Sequence, residues 1–285
     1  MSAKIIDGKA IAENVRESLK AKVENYVAKG HRPPKLAVVL VGDDPASQVY
    51  VGHKEKACAK VGIESVAHRI PKETKQEDLE ALLVKLSDDK QIDGILLQLP
   101  LPKHLDSDAA LDCIKVTKDV DGLSPLNQGM LAVKKPGLFS CTPLGCMELI
   151  RSTGEEISGK RAVVIGRSIL VGTPVATMLT QANATVTLVH SRTQNPDAIA
   201  READILVVAA GQLHLVDETW VKKGAIVIDV GMHRLDGKLQ GDVQFDKVKE
   251  VAGYITKVPG GVGPMTIAML LSNCLQAYET QNNVT

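Results

Sequence analysis

The amino-acid sequence predicts a two-domain α/β protein in which helices cover parallel sheets. Short, apolar, β-branched segments alternate with segments of helical periodicity along most of the 285 residues. Most of the apolar segments stop at glycine- or proline-containing turns, as buried strands do. A loop-rich stretch between Val116 and about Cys141 divides this alternation into two series. Such an order is typical of βαβ units and parallel sheets.

The first series begins with a helix and continues as three strands, each followed by a helix. Residues 10–27 place apolar side chains at helical spacing, and 36–41 is predicted as a buried strand ending in a turn. Ser47 is expected to cap the next helix, which runs to about Lys60, and Gly62 stands just past its end. The remaining segments are predicted as strand 66–70, helix 76–86, strand 94–99 and helix 106–114.

The second series starts after the loop-rich passage, where Thr142-Pro143 places a proline in the first turn of a helix. Its strands are predicted at 161–165, 185–189, 204–209, 225–230 and 253–255, and a strongly apolar helix follows at 265–278. We therefore expect an N-terminal α/β domain with a parallel sheet at 1–140 and a Rossmann-type domain at 141–264, with a cleft between them. The C-terminal helix, 265–285, is expected to pack back on the first domain.

Composition and charge argue against several classes of function. The 34 Lys and Arg residues balance 34 Asp and Glu residues, and aromatic residues make up 2% of the chain. We therefore expect no nucleic-acid partner, which needs a basic face and stacking rings. The sequence shows neither the apolar core of a secretory signal nor an apolar run near the roughly 18 residues of a membrane span. Five scattered cysteines without CxxC spacing predict neither a metal site nor disulfides, and favour a cytoplasmic protein.

The turn after strand 161–165 carries a dinucleotide-binding signal. Gly166 allows a tight turn, and the amide groups at the start of the following helix can hold a pyrophosphate. The G-x-G-x-x-G pattern itself is broken, because Ser168 and Val171 replace glycines and Gly172 comes one residue late. The alternative is that Ser168 only caps the helix.

The residues at the end of the next strand favour NADP over NAD. An NAD site normally carries Asp or Glu about 20 residues after the glycine turn. Here Ser191 and Arg192 stand at that place, and Arg167 lies in the turn itself. Two guanidinium groups and a hydroxyl suit the 2′-phosphate of NADP. The alternative is that Arg192 is a solvated loop residue.

Polar residues of the first series point to a catalytic site. Tyr50 and Lys54 are four residues apart in the helix after the first strand, so they share one face near the carboxyl edge of the sheet. Gln98 ends an otherwise apolar strand and needs a hydrogen-bond partner, and Asp121 lies in a loop beyond this sheet. By spacing alone, a half-buried Tyr50 beside a solvated Lys54 is the more common arrangement. Asp119 or Asp121 could also serve only to cap a turn.

A glycine-rich loop at 258–266, which exposes its backbone before the last helix, completes an ordered set of motifs. The set comprises Tyr50-Val51 with Lys54, Asp93-Gly94-Ile95 through Gln98-Leu99-Pro100-Leu101-Pro102, Lys118-Asp119-Val120-Asp121-Gly122, Cys141-Thr142-Pro143, Gly166-Arg167-Ser168 with Val171-Gly172, Asp229-Val230-Gly231 and Pro259-Gly260-Gly261-Val262-Gly263-Pro264-Met265-Thr266. On these motifs the sequence resembles the bifunctional methylenetetrahydrofolate dehydrogenase/methenyltetrahydrofolate cyclohydrolases, the FolD type. The resemblance covers essentially the whole chain.

The resemblance implies an N-terminal catalytic domain, a C-terminal NADP-binding domain and two activities. The family oxidises 5,10-methylenetetrahydrofolate to the 5,10-methenyl cation with NADP⁺ and hydrolyses the cation to 10-formyltetrahydrofolate. By resemblance, Lys54 is the acid/base of the hydrolysis, and Gln98 hydrogen-bonds Lys54. Tyr50 would lie against the folate ring, and Asp121 would bind the nitrogen-rich edge of the pterin. The resemblance also implies a homodimer.

The same resemblance implies which residues line the two ligand sites. The folate would contact Tyr50, Lys54, Leu97, Gln98, Leu99, Pro100, Asp121, Pro259, Gly260, Gly261, Gly263 and Pro264. NADP would contact Gly166, Arg167, Ser168, Ser191, Arg192 and Met232. Prolines at ligand loops make Leu99-Pro100 or Val258-Pro259 a candidate for a cis bond.

Two other interpretations stand beside this one. Another NADP-dependent dehydrogenase, of the amino-acid or shikimate type, would explain Gly166-Arg167-Ser168 but would leave the polar residues of the first domain as coincidence. The chain could also be a non-catalytic nucleotide- or folate-binding module, although the intact Lys54 and Asp121 speak against that.

Overall fold

Two parallel sheets and one hairpin organise residues 2–284, the part of the chain that the computed structural model describes. The strands are β1 (Lys4–Ile6), β2 (Lys35–Val41), β3 (Glu64–Ile70), β4 (Gly94–Leu97), β5 (Arg161–Ile165), β6 (Thr185–Val189), β7 (Ile205–Val208), β8 (Ile226–Asp229), β9 (His233–Leu235), β10 (Lys238–Gln240) and β11 (Tyr254–Thr256). The helices are α1 (Gly8–Ala28), α2 (Pro45–Val61), α3 (Gln76–Asp88), α4 (Ser107–Asp112), α5 (Pro125–Ala132), α6 (Cys141–Arg151), α7 (Gly172–Gln181), α8 (Pro196–Ala200), α9 (Phe245–Val248) and α10 (Val262–Asn282), and a 3-10 helix covers Glu218–Trp220.

Within residues 2–284, every helix falls short of the length and apolar character that a membrane crossing requires. The predicted two-domain α/β fold with parallel sheets is confirmed.

The first of two compact units contains a three-stranded sheet. Asn14–Cys141 groups with the described residues from Ile267 onward. The strand order is β3-β2-β4, and both pairings are parallel. The central strand β2 is buried from Leu36 to Val41, which explains its unbroken apolar run. Helix α3 packs its buried leucines on this sheet. Because the strands are parallel, their carboxyl ends meet at one edge, where α2 begins.

The second unit contains a six-stranded parallel sheet of Rossmann type. Thr142–Thr266 groups with the described residues up to Glu13, and the strand order is β1-β11-β8-β7-β5-β6. Aliphatic side chains of the central strands, such as Val163 and Leu206, build its core. β1 pairs in parallel with β11, so the first residues join this unit, whereas the sequence analysis placed them in the first domain. β1 has three residues, two of them exposed, and so carries too little apolar signal to predict the pairing.

Local differences from the predicted elements have simple causes. Helix α2 is capped by Asp44, whose carboxylate accepts a hydrogen bond from the backbone N–H of Ser47 at 2.8 Å, so Ser47 is not the cap. Gly62 ends this helix in the left-handed region at φ 81°, as predicted. Helix α5 lies inside the stretch predicted as loop, with Ser124 as its cap. Its eight residues are too few to show a clear helical period.

The two proline-containing loops at strand ends agree with the sequence. Leu99-Pro100, just after β4, and Val258-Pro259, just after β11, are both cis. The expectation of a cis bond at one of these positions is therefore confirmed. β4 itself ends at Leu97, two residues earlier than predicted.

Candidate active site

The candidate catalytic group of the first unit is an amine held by a glutamine. α2 follows β2, and Gln98 follows β4, the neighbour of β2 in the sheet, so both side chains start from the same sheet edge. The Nζ atom of Lys54 donates a hydrogen bond to Oε1 of Gln98 at 3.0 Å. Nε2 of Gln98 donates in turn to the Leu99 carbonyl at 2.6 Å. This second bond fixes which end of the amide faces the lysine.

The loop after α4 contains two aspartates with different surroundings. Asp119 is 2% exposed. Its oxygens accept hydrogen bonds from the backbone N–H groups of residues 122–124 and from the side-chain amide of Asn127, at 2.8 to 3.3 Å. Asp119 therefore shapes the turn, as one alternative in the sequence analysis supposed. Asp121 is the carboxylate whose charge acts on Lys54.

Burial shifts the pKa values of Lys54 and Asp121 in opposite directions. Burial lowers the pKa of Lys54, while the nearby Asp121 carboxylate favours the ammonium form and limits the shift. Burial also raises the pKa of Asp121, and the charge of Lys54 limits that shift in turn. Both groups are brought nearer to their neutral forms, so either one exchanges a proton with a bound ligand more readily than it would in water.

Tyr50 lies one turn before Lys54 on α2. Its side chain is 38% exposed, and burial of the remainder raises the pKa of the phenol, which therefore stays protonated at neutral pH. A partly exposed aromatic ring beside an amine offers a stacking surface for a flat, conjugated ligand.

In the second unit, two glycines build a tight turn at the carboxyl end of β5. β6 and β7 lie on opposite sides of β5, and ligands of α/β sheets bind where the strand order diverges in this way. Gly166 has φ 112°, and a Cβ there would overlap the Ala209 carbonyl. A Cβ on Gly172 would overlap the Gly166 carbonyl. Only glycine fits at either place, and the turn leads directly into the first N–H groups of α7, which suit an anion.

Polar and basic side chains surround this turn and the end of β6. The Ser168 hydroxyl accepts a hydrogen bond from the Val171 N–H at 3.2 Å, so Ser168 also helps to shape the turn. Arg167, Ser191 and Arg192 are exposed. The Arg192 N–H donates to Nδ1 of the neighbouring histidine at 3.2 Å, which fixes the backbone at this strand end. The guanidinium groups of Arg167 and Arg192 are exposed, so a phosphate can reach them and accept their hydrogen bonds.

Two buried aspartates hold the loops that follow β7 and β8. Asp229 accepts hydrogen bonds from the backbone N–H groups of residues 231, 242 and 243, and burial raises its pKa to about 7. Asp242 accepts from the N–H groups of Ala210 and Gly211 at 2.8 and 2.9 Å, and pairs with Nε2 of His233 at 2.7 Å. This network keeps the loops beside the glycine turn in place. Met232, adjacent to His233, is 53% exposed.

The glycine-rich loop before α10 packs against the start of α1. A Cβ on Gly8 would overlap the carbonyls of Gly260 and Gly261, and the Lys9 N–H donates to the Gly260 carbonyl at 3.1 Å. Gly260 has φ 107°. The close packing of this loop on α1 therefore requires glycine at position 8. A Cβ on Gly263, in contrast, would contact no other atom of the described residues.

Two family models match the chain. The model described as tetrahydrofolate dehydrogenase/cyclohydrolase, catalytic domain, matches residues 6–121. The model described as tetrahydrofolate dehydrogenase/cyclohydrolase, NAD(P)-binding domain, matches residues 140–282. The chain belongs to the tetrahydrofolate dehydrogenase/cyclohydrolase family. The resemblance recognised from the sequence motifs is confirmed.

Full-length relatives support membership of the tetrahydrofolate dehydrogenase/cyclohydrolase family. The chain is 52% identical over 283 residues to the bifunctional protein FolD of Sorangium cellulosum, covering 99% of each chain. The crystal structure of a FolD enzyme of Campylobacter jejuni matches with 46% identity and a TM-score of 0.95, covering 98% of this chain and 99% of that one. A Trypanosoma brucei FolD structure, complexed with NADP cofactor and inhibitor, matches with 42% identity and a TM-score of 0.93, covering 98% of each chain.

The structure groups the predicted site residues of this family member by unit. Tyr50, Lys54, Gln98 and Asp121 belong to the first unit, and the Lys54–Gln98 bond and the Lys54–Asp121 interaction join three of them. The residues predicted for NADP and the loop 259–264 belong to the second unit. Among residues 2–284, no group of three His, Cys, Asp or Glu side chains is placed to hold a metal ion.

Sequence reasoning missed the residues that support these groups. Cys141 stands in one of the motifs above with no role given to it, yet its buried thiol lies beside the Asp121 carboxylate, and burial together with that charge raises its pKa well above the usual value. Asp242 and His233 lie outside the motifs found in the sequence. For Cys141, its place in the motif Cys141-Thr142-Pro143 was the available signal.

Proposed function

We propose that this protein oxidises 5,10-methylenetetrahydrofolate to 5,10-methenyltetrahydrofolate with NADP⁺ and then hydrolyses the product to 10-formyltetrahydrofolate. The observation that carries the proposal is the partly buried Lys54, hydrogen-bonded to Gln98 and opposed by Asp121. A family of dehydrogenase/cyclohydrolases matches both parts of the chain. The relative from Trypanosoma brucei binds NADP.

The hydrolysis needs a group that both takes and returns a proton. Water adds to the methenyl carbon and loses a proton, which leaves a hydroxyl on that carbon. The bond from that carbon to one ring nitrogen then breaks and the nitrogen takes a proton, while the hydroxyl loses its proton to solvent as the formyl C=O forms, so that one proton is released overall. Lys54 as a neutral amine accepts the first proton, and its ammonium form supplies the second. Burial favours the neutral amine, and the bond to Gln98 keeps Nζ in one position.

Tyr50 and Asp121 bind and orient the folate in this proposal. The partly exposed Tyr50 ring stacks on the conjugated ring system of the substrate. The Asp121 carboxylate accepts paired hydrogen bonds from the nitrogen-rich pterin edge. A polar contact of this kind discriminates the pterin from apolar rings of similar shape, because a wrong ligand leaves the buried carboxylate unpaired.

Backbone groups complete the proposed folate contacts. In the first unit they come from the end of β4 and its cis-proline turn, at Leu97, Leu99 and Pro100.

NADP fits the glycine turn of the second unit. Because Gly166 and Gly172 carry no Cβ, the backbone turns tightly enough to present the first N–H groups of α7 to a pyrophosphate. Ser168 shapes the turn, and Met232 lies exposed at the end of the loop after β8. The exposed Arg167, Ser191 and Arg192 bind the 2′-phosphate. When bound, NADP⁺ supplies the hydride acceptor for the oxidation.

One assay tests this function. Purified protein is mixed with 5,10-methylenetetrahydrofolate and either NADP⁺ or NAD⁺, and the absorbance of the methenyl product is followed with time. We expect the absorbance to rise with NADP⁺, more slowly with NAD⁺, and then to decay faster than in protein-free buffer. No rise would contradict the dehydrogenase activity, and a rise without accelerated decay would contradict the cyclohydrolase activity.

We also propose that the protein is a cytoplasmic homodimer. All five cysteines are free and four are buried, as is usual in a reducing compartment. β6 forms one edge of the six-stranded sheet, and an edge strand offers backbone groups to a second chain. Light scattering should give twice the 30.5 kDa of one chain, and T187P should lower that mass. A monomeric wild-type protein would contradict the dimer.

A further inference from the structure

A single amide side chain of α10 joins two segments that border Asp121. Asn273 is 2% exposed and stands among buried aliphatic residues of this helix. Its Nδ2 atom donates hydrogen bonds to the carbonyls of Val120 and Phe139, both at 2.8 Å. The same atom lies 3.7 Å from Sγ of Cys141. All of these residues belong to the first unit.

The two segments that Asn273 joins are packed tightly against each other. A Cβ on Gly122 would overlap the backbone of Phe139 and Ser140. The Ser140 hydroxyl donates to the Gly122 carbonyl at 3.1 Å. The residue after Asp121 is therefore packed against the chain before Cys141, and Asn273 adds a donor to a carbonyl on each of the two segments, Val120 and Phe139.

The backbone on the two sides of Asp121 is held by different side chains. On the side after it, Asp119 accepts the Gly122 N–H at 3.0 Å. On the side before it, Asn273 binds the Val120 carbonyl, which also accepts from the Cys141 thiol at 3.3 Å. With both neighbours fixed, the direction of the Asp121 side chain toward Lys54 is determined by this frame.

We propose that Asn273 is a positioning residue that acts through Asp121, holding its carboxylate in the place where it binds folate and faces Lys54. This inference rests on the proposed function, because it assumes that Asp121 contacts the folate. Loss of the two donors takes from the Phe139 carbonyl its Asn273 hydrogen bond and leaves the Val120 carbonyl with the weaker thiol donor of Cys141. The turn is then less firmly held, and a displacement of about 1 Å is enough to weaken a precise contact strongly.

A purely structural role for Asn273 makes a different prediction. If the amide only satisfies buried carbonyls, its removal lowers the stability of the unit and weakens folate binding equally, whatever residue stands at position 121. If Asn273 acts through Asp121, its removal has little effect once the Asp121 carboxylate is gone, because coupled residues are not additive.

The test is a double-mutant cycle with N273L and D121N, read as the dissociation constant of tetrahydrofolate by calorimetry. Leucine has the same number of side-chain heavy atoms as asparagine, branched at the same carbon, but no donor. We expect N273L to weaken tetrahydrofolate binding about tenfold in the wild-type background and less than about twofold in the D121N background. NADP⁺ affinity should not change. Equal weakening in both backgrounds would overturn the inference.

The control comes from the next turn of the same helix. Gln276 donates from Nε2 to the Gly137 carbonyl at 3.0 Å, in the same segment before Cys141 as Phe139 but not to a neighbour of Asp121. Q276L should leave tetrahydrofolate binding unchanged, and an equal loss in Q276L would overturn the inference. If N273L lacks a cooperative thermal transition, N273S replaces it and is judged by the same cycle. A D121N protein that binds tetrahydrofolate like the wild type would refute the proposed role of Asp121 instead.

Discussion

Asp119 and Asp121 are two residues apart and have the same side chain, yet the fold uses them differently. The carboxylate oxygens of Asp119 accept four hydrogen bonds that stabilise the turn. Asp121 keeps a carboxylate whose charge acts on Lys54. The sequence predicted that this loop carries a functional carboxylate, but the division between the two depends on which one has the backbone N–H groups within reach, and only three-dimensional geometry decides that.

The residues after β6 determine the choice of dinucleotide. Replacing Ser191 and Arg192 in the double variant S191D/R192A adds a negative charge and removes a guanidinium where the 2′-phosphate is proposed to bind. We expect NADP⁺ affinity to fall by about tenfold or more, because hydrogen bonds to charged groups contribute about 1.5–3 kcal/mol each. NAD⁺ affinity should be unchanged or improved. Isothermal titration with both dinucleotides measures this.

The control for that variant is K223A, which removes an exposed charge before the amino end of β8, at the opposite edge of the sheet. K223A should bind NADP⁺ like the wild type. Unchanged NADP⁺ affinity in S191D/R192A would show that the 2′-phosphate binds elsewhere.

Asp229 makes the stability of the protein depend on pH. Burial raises its pKa to about 7 in the folded state, whereas an aspartate in an unfolded chain ionises near pH 4, at about 3.9. The folded state therefore holds a proton that the unfolded chain has lost between these values. The contribution of Asp229 to the free energy of unfolding falls as the pH rises through this window.

Urea unfolding of the wild type and D229N as a function of pH measures this contribution. The unfolding free energy of the wild type should decline relative to that of D229N as the pH rises from about 4 to about 7, because asparagine cannot titrate. Parallel curves for the two proteins would show that the pKa of Asp229 is not raised by folding.

At the scale of elements, the end of α10 binds the carboxylate of Asp93, which is buried and paired with the partly buried Arg32. Asp93, 1% exposed, accepts two hydrogen bonds from Arg32, both at 2.7 Å, and one from Asn282 at 3.1 Å. The Lys35 N–H donates to the same carboxylate at 2.8 Å. This carboxylate ties the start of β2 and the end of α10 to the residue just before β4.

Removing the guanidinium should therefore loosen α10. We expect R32M to lower the free energy of unfolding by about 3 kcal/mol, because it leaves a buried carboxylate without its charged partner. Chemical denaturation measures the change. The matched control is K115M, which removes an exposed partner of Asp88; exposed pairs contribute little, so its stability should match the wild type. Equal stability of R32M and the wild type would contradict the anchoring role.

The elements that the sequence predicts are those with long or strongly apolar patterns. β2, β5 and β6 were predicted to within a residue, and α1 to within two, because burial imposes an unbroken apolar run or a regular helical period. The elements it missed are short: β1, β9, β10, α5, α8 and α9. Their pairing partners and caps stabilise them, and those interactions leave little trace in a local window.

At the scale of the whole molecule, the motifs identify the family, but the supporting contacts are not visible in them. Asn273 and Val120 are 153 residues apart in the chain. A spacing argument works for Tyr50 and Lys54 because both lie in one helix, but no local rule relates α10 to the loop after α4. The sequence therefore predicts which residues act, and the fold shows which residues hold them.

The central claim is that Lys54 performs the acid/base chemistry of the hydrolysis, and the most direct test is the decay of preformed 5,10-methenyltetrahydrofolate without dinucleotide. K54M should reduce the enzyme-catalysed decay by about 100-fold or more, the usual contribution of a general acid/base. K56M, which changes an exposed lysine of the same helix, should hydrolyse 5,10-methenyltetrahydrofolate at the wild-type rate. A K54M protein that hydrolyses 5,10-methenyltetrahydrofolate as fast as the wild type would contradict the account.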